Sequence, residues 1–201
     1  SAGLFAQSDL RLAERLSVIV GGRVQDVLAK TRSTPQVTDP IFESKDRTAV
    51  GTANVLVRAA TGLNLIASVG RGFRSPNLVE RFFQGPTPEG SGYQKRNLDL
   101  NPETSVNVDV GARWRRGGWF AEAFVFQNNV HDGVAIQATG DSVSRLPAYQ
   151  NVNVDRLRFR GVELAAGARS FHAFDLTANF SRIQSKNVTD PNSPVGATFS
   201  R

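Results

Sequence analysis

SVNVDVGARW, residues Ser105–Trp114, alternates apolar and polar side chains for ten positions. Successive side chains of an extended chain point to opposite sides, so Val106, Val108, Val110, Ala112 and Trp114 share one face, opposed by Asn107, Asp109, Gly111 and Arg113. A helix would scatter the same residues around its circumference. Eight segments of the chain carry this period, near residues 3–12, 16–28, 48–59, 63–73, 104–116, 118–131, 155–169 and 172–184. Leu63, Leu65, Ala67 and Val69 oppose Asn64, Ile66, Ser68 and Gly70; Phe174, Leu176, Ala178 and Phe180 oppose Asp175, Thr177, Asn179 and Ser181. The segment 118–131 departs from the scheme, because Phe120, Phe124 and Phe126 share a face with Glu122, and the pattern assigns it no apolar side.

The connections alternate between very short (13–15, 60–62, 117, 170–171) and very long (29–47, 74–103, 132–154), and the long ones are rich in Pro, Asn, Asp, Gly and Ser. Structureless loops of that length run against a compact soluble domain. A bacterial outer-membrane barrel requires them, having short periplasmic turns and long external loops. Ten residues at about 3.3 Å each, tilted by about 40°, rise about 25 Å, the height of the apolar band of such barrels. Trp114 and Trp119 flank the tight Arg115-Arg116-Gly117-Gly118 hairpin, where an interfacial aromatic girdle sits, although a soluble hairpin would use them as core tryptophans. The expected fold is therefore all-β: an antiparallel transmembrane β-barrel fragment of about eight strands.

Composition narrows the function classes. The 201 residues include no cysteine and no methionine, which removes disulfides and thiolate chemistry. No run of 18 apolar residues occurs, so no helix is expected to cross a membrane, which leaves a barrel untouched. The net charge is +6, and 20 of the 24 basic residues are arginine, a balance suited to nucleic acid, anionic lipid or an anionic ligand. RWRRGGW and RLRFRG interleave basic and aromatic residues as single-strand binders do, but a nucleic-acid reading leaves the loop rhythm unexplained, and no nucleic acid is expected. His131 and Asp132 adjoin at a strand end and His172 follows a tight turn, yet there is no Gly-x-Ser-x-Gly, no Walker loop and no metal-spaced set of His and carboxylates. No enzyme activity, cofactor or metal is expected.

Three segments carry a family resemblance. GRGFRSPNLVERF, Gly70–Phe82, resembles the motif with which an ascending strand of the TonB-dependent outer-membrane receptors enters an external loop. NLDLNPETSVNVDVG, Asn97–Gly111, resembles the start of the following descending strand, and RFRGVELAAGAR, Arg158–Arg169, the next descending strand. The family's usual alanine is Ser75 here, and its aromatic and glutamate are Val108 and Asp109. Physical chemistry accounts for the first motif as well: Pro76 has no donor N–H and disfavours helix at Ser75, so the ladder stops there.

The resemblance implies that residues 1–201 are part of one receptor β-barrel domain, an interior piece whose plug domain and barrel ends lie outside it. It further implies active import of a scarce solute, most readily a ferric siderophore or similar chelate, energised by TonB with ExbB and ExbD through an N-terminal part not in this stretch, in contact with outer-membrane lipid. The strand rhythm alone fits a passive porin equally. Arg23, Asn64, Asn107, Asp109, Glu163, Asp175 and Asn179 are expected to face the lumen, and Arg74, Arg81, Tyr93, Lys95 and Arg96, in the longest loop, to hold an anionic chelate.

Overall fold

The computed structural model describes residues 1–32, 40–171 and 174–189. The elements run β1 (Ala2–Ala13), β2 (Leu16–Lys30), β3 (Glu43–Ala60), β4 (Leu63–Arg74), α1 (Leu78–Phe82), β5 (Gly85–Pro86), β6 (Tyr93–Lys95), β7 (Glu103–Arg116), β8 (Trp119–Val143), β9 (Leu146–Phe171) and β10 (Phe174–Asn187). The eight long strands form one antiparallel sheet in sequence order, β1-β2-β3-β4-β7-β8-β9-β10, with β6 and β5 joined to β9 at one end. The expected eight alternating segments are these strands. The tight turns gather at one end of the sheet, where Gly62, Gly117 and Gly118 take φ of 78°, 57° and 84°, a region that costs other residues a clash at Cβ.

At the opposite end the strands run further than their alternation predicts. The segment 132–154, expected as a loop, continues the β8–β9 ladder to Val143↔Leu146. Ser144 and Arg145 close that hairpin with φ of 52° and 65°, the left-handed pair of a two-residue turn. Its Gly, Asp and Ser content reads as loop, but pairing with β9 holds it as strand on both sides of an irregularity between Ala138 and Ser142.

The segment 74–103 also corrects the expectation of a structureless loop. Pro76 ends β4, and Asn77 then caps a single helical turn: its side chain accepts from the Glu80 N–H at 2.8 Å while the Glu80 carboxylate accepts from the Asn77 N–H at 2.8 Å. The chain returns through β5 and β6, and β6 lies parallel to β9 with Tyr93 opposite Ala148.

Register separates two faces. On one, Val110 is 50% exposed, Val125 57% and Leu164 44%, an apolar surface that a soluble sandwich would cover with a second layer. The other carries polar and aromatic side chains, and here β8 finds its sides. Phe120, Phe124 and Phe126 stand directly opposite Gly167, Gly111 and Gly161. A Cβ at those glycines would lie 2.5, 2.3 and 2.8 Å from the three rings, so the rings occupy the space the glycines leave. Ala121, Ala123 and Val125 therefore form the apolar side of β8. The buried residues, Phe82, Leu100, Val134 and Ala148 among them, sit mostly at the long-strand end, where the 74–103 segment packs on the β8–β9 hairpin.

Candidate functional site

The long-strand end is a built assembly in which ion pairs pin the 74–103 segment to the sheet. Arg74, the last residue of β4, makes a two-pronged contact with Glu103, the first of β7, at 2.6 and 2.7 Å, and a third contact with Glu80 of α1 at 2.8 Å. The hydrogen bond to Glu103 raises the Arg74 pKa. Burial pushes the Glu103 carboxyl up, but the Arg74 guanidinium and the Val134 N–H, which donates to it at 2.6 Å, outweigh burial and hold it below the usual glutamate value. Glu103 thereby ties three elements together: the end of β4, the start of β7 and the β8–β9 hairpin.

Arg81 lies beneath this layer, 1% exposed. It donates to Asp46 of β3 at 3.1 and 3.3 Å, to the Leu100 carbonyl at 2.6 Å and to the Ser44 hydroxyl. Ser75 also donates to Asp46. Arg81, expected at the ligand site, is held inside through its two terminal nitrogens, while its buried Nε finds no hydrogen-bond partner among the described residues. Arg74 likewise has its charge met by two carboxylates.

Tyr93, Lys95 and Arg96 lie on or beside β6, half-buried at the surface of the assembly. Lys95 meets Asp141 of the hairpin at 2.6 Å, and that contact lowers the Asp141 pKa. The Arg96 guanidinium stacks over Phe42 with 4.4 Å to the ring centroid and donates to Gln84 at 3.0 Å. Phe42 in turn stacks on Phe82. The five residues expected at one site are thus gathered in one assembly, four of them at its surface and Arg81 buried.

The register carries Arg23, Asn64, Asn107, Asp109, Glu163 and Asn179 onto a single face, opposite Val50, Arg113, Gly70, Ser68, Phe124 and Ala165 in turn; Asp175 sits at the register shift between Phe174 and Leu176. On that face Ser68 donates to Asp109 at 2.9 Å. Glu122, which sequence reasoning left unassigned, pairs with Arg113 at 3.3 Å and Arg115 at 3.5 Å. Asp46, Ser44, Gln84 and Asp141 also escaped sequence reasoning, since each reaches its partner from a segment remote in the chain. The capping box was the one legible signal: Asn77 with Glu80 three residues on, directly after a proline. His131 and Asp132 line a recess with Arg156, Val188 and Thr189; His172 lies outside the described residues.

The family model described as TonB dependent receptor-like, beta-barrel matches residues 1–201. The hemoglobin and hemoglobin-haptoglobin-binding protein B of Haemophilus influenzae is 33% identical over 101 residues, 47% of this chain and 9% of that protein. The ferric enterobactin receptor PirA of Pseudomonas aeruginosa is 34% identical over 74 residues, 31% of this chain and 10% of that protein. The crystal structure of the siderophore receptor PirA from Pseudomonas aeruginosa superposes with a TM-score of 0.74 at 18% identity, covering 92% of this chain and 34% of that one. The chain therefore spans about a tenth of the length of these curated relatives in sequence and about a third of the solved barrel in structure.

Proposed function

The chain belongs to the TonB-dependent receptor β-barrel family of the bacterial outer membrane, and from that premise we propose that it forms part of the wall and external vestibule of an importer of ferric chelates, energised by TonB with ExbB and ExbD. The relatives named for haemoglobin and for ferric enterobactin both handle iron carriers, which supports an iron-bearing ligand over other scarce solutes. The observation that carries the reading is the long-strand end: a folded, ion-paired assembly presenting Tyr93, Lys95 and Arg96 together. A rigid platform loses little conformational entropy on binding, and its cations and phenol suit an anionic, aromatic chelate. In this reading Arg74 and Arg81 position the platform. Arg23, Asn64, Asn107, Asp109, Glu163, Asp175 and Asn179 form the lumen side, facing water and the plug.

The test is uptake of radioactive iron by cells lacking their own iron receptors and supplied with the full-length receptor carrying this segment. A ferric catecholate and haem are offered separately, with and without TonB. Accumulation from one of them that requires TonB is the expected result. Equal, TonB-independent leakage of both would make the barrel a passive porin. Replacing Lys95 and Arg96 by Glu should weaken chelate binding about tenfold or more; unchanged affinity would remove those two residues from the site.

A further inference from the structure

We propose that residues 74–103 are a fixed strap across the lumen side of the sheet, which narrows the external mouth of the barrel and stays in place while solute passes. The inference rests on the lumen side assigned to Arg23, Asn64 and Asn107. The path of the chain shows the crossing. It leaves β4 at Arg74, joins β9 as β6, with Tyr93, Gln94 and Lys95 opposite Ala148, Tyr149 and Gln150, and returns to β7, the strand beside β4. β6 takes the edge of β9 turned away from β8, so the segment crosses the β8–β9 hairpin to reach it and crosses back again. Side-chain bonds fix the face on which it crosses. Alternation puts Ser44 and Asp46 on the side of Val50, the partner of Arg23, and Glu103 on the side of Asn107. Arg81 donates to Ser44 and Asp46, and Arg74, on the side of Asn64, meets Glu103. On β9, Asn151 donates to the Glu80 carbonyl at 2.9 Å, and Asn153 exchanges bonds with the Asn101 backbone at 2.8 and 3.0 Å. The anchors thus run from β3 to β9, and all lie on the Arg23 side.

A lid that opens is drawn from the weakly held parts of a fold, those with few buried contacts. This segment is held otherwise. Phe82, Leu100 and Arg81 are 8%, 4% and 1% exposed. The Asn97 N–H donates to the Arg81 carbonyl at 3.1 Å and closes the two arms of the segment on each other, while β6 adds a ladder to β9. Opening would strip Arg81 from Asp46 inside a buried site, where a charge left without its partner is costly. The single turn of α1 buries Arg81 and Phe82 toward the sheet and leaves Leu78 and Val79 57% and 60% exposed, so the side it turns to the lumen axis is apolar. Solute therefore passes along Leu78 and Val79, and the movement that admits it belongs to segments other than 74–103.

The tests use the full-length receptor. Asn101→Cys with Asn153→Cys, joined in cells by a short reducible thiol cross-linker, should import iron offered as a ferric catecholate or as haem within about twofold of the unjoined rate. A loss of about tenfold or more that reduction reverses would overturn the fixed strap. Val79→Cys bearing a bulky maleimide should lower uptake about tenfold, and the same label on Arg145→Cys at the hairpin tip should leave it unchanged; equal uptake with the two labels would overturn the narrowing. Hydrogen exchange on the wild-type receptor needs neither a variant nor uptake. The Asn97 amide should exchange about a thousandfold more slowly than in a free chain, equally with and without TonB. Exchange there at the free-chain rate would overturn the strap even in a barrel that imports neither iron source, so a failure of the transport reading and a failure of the strap register in different assays.

Discussion

Placing an arginine at Val110 tests the facing of the whole sheet. Val110 is the midpoint of the apolar row Val106–Trp114, four residues from either end. At about 3.3 Å per residue and a tilt of about 40°, that puts it about 10 Å below either edge of the band. Its cross-strand neighbours are Ala67 and Val125, so the new guanidinium finds no carboxylate within reach along the ladder. An arginine near the midplane of a barrel costs about 2–4 kcal/mol, or about thirty- to nine-hundred-fold in the folding equilibrium. Val106→Arg, at the edge of the same row, should cost about 0–1 kcal/mol. Asn107→Arg, on the opposite face between Gly70 and Asn128, should change stability by about 0.5 kcal/mol or less. The assay is urea unfolding of the complete barrel refolded into vesicles, followed by tryptophan fluorescence. Equal losses at Val106 and Val110, or a loss at Asn107 matching that at Val110, would refute the assignment of the apolar face to lipid.

Three further outcomes follow from the geometry. Arg81→Ala strands the Asp46 carboxylate in a buried site and should loosen the 74–103 assembly by about 3–5 kcal/mol, seen as faster proteolysis there; Arg81→Lys should recover only part, since one ammonium cannot span Asp46 and the Leu100 carbonyl as the fork does. Gly161→Ala sets a Cβ 2.5 Å from the Arg182 carbonyl and 2.8 Å from the Phe126 ring and should cost about 1–3 kcal/mol in the same unfolding assay, a loss that Phe126→Leu relieves only in part because the carbonyl stays; a neutral Gly161→Ala would contradict the close approach. Because the folded-state pKa of Glu103 is lowered, its stabilisation is complete above the unfolded value near about 4.3 and is lost as pH falls through the folded value, so hydrogen exchange at the Val134 amide, corrected for intrinsic rate, should accelerate in acid, and Glu103→Gln should abolish that acceleration.

The sheet was legible because alternation is a local property: each of Val106, Val108 and Val110 declares its face by its neighbours one residue away. Turn positions were legible for the same reason, since Gly62 and Gly117 mark tight reversals whatever lies across from them. β8 was not, because the side its phenylalanines take depends on glycines of two other strands. Phe124 lies over Gly111 and Phe126 over Gly161, and only register brings those pairs together. The extended β8–β9 hairpin escaped as well, since its polar residues become strand only when paired.

By itself, then, the sequence determined an antiparallel sheet with one apolar face and two unlike ends, since side-chain period and connection length are written along the chain. Tertiary structure alone decided where each cation is placed and what it meets. Arg81 and Arg96 look equivalent in the sequence, but one is buried against Asp46 and the other lies over Phe42 at the surface. The partner of a charge is chosen by spatial neighbours dozens of residues away, and until register and loop packing are fixed no residue can be assigned to holding the fold or to meeting a ligand.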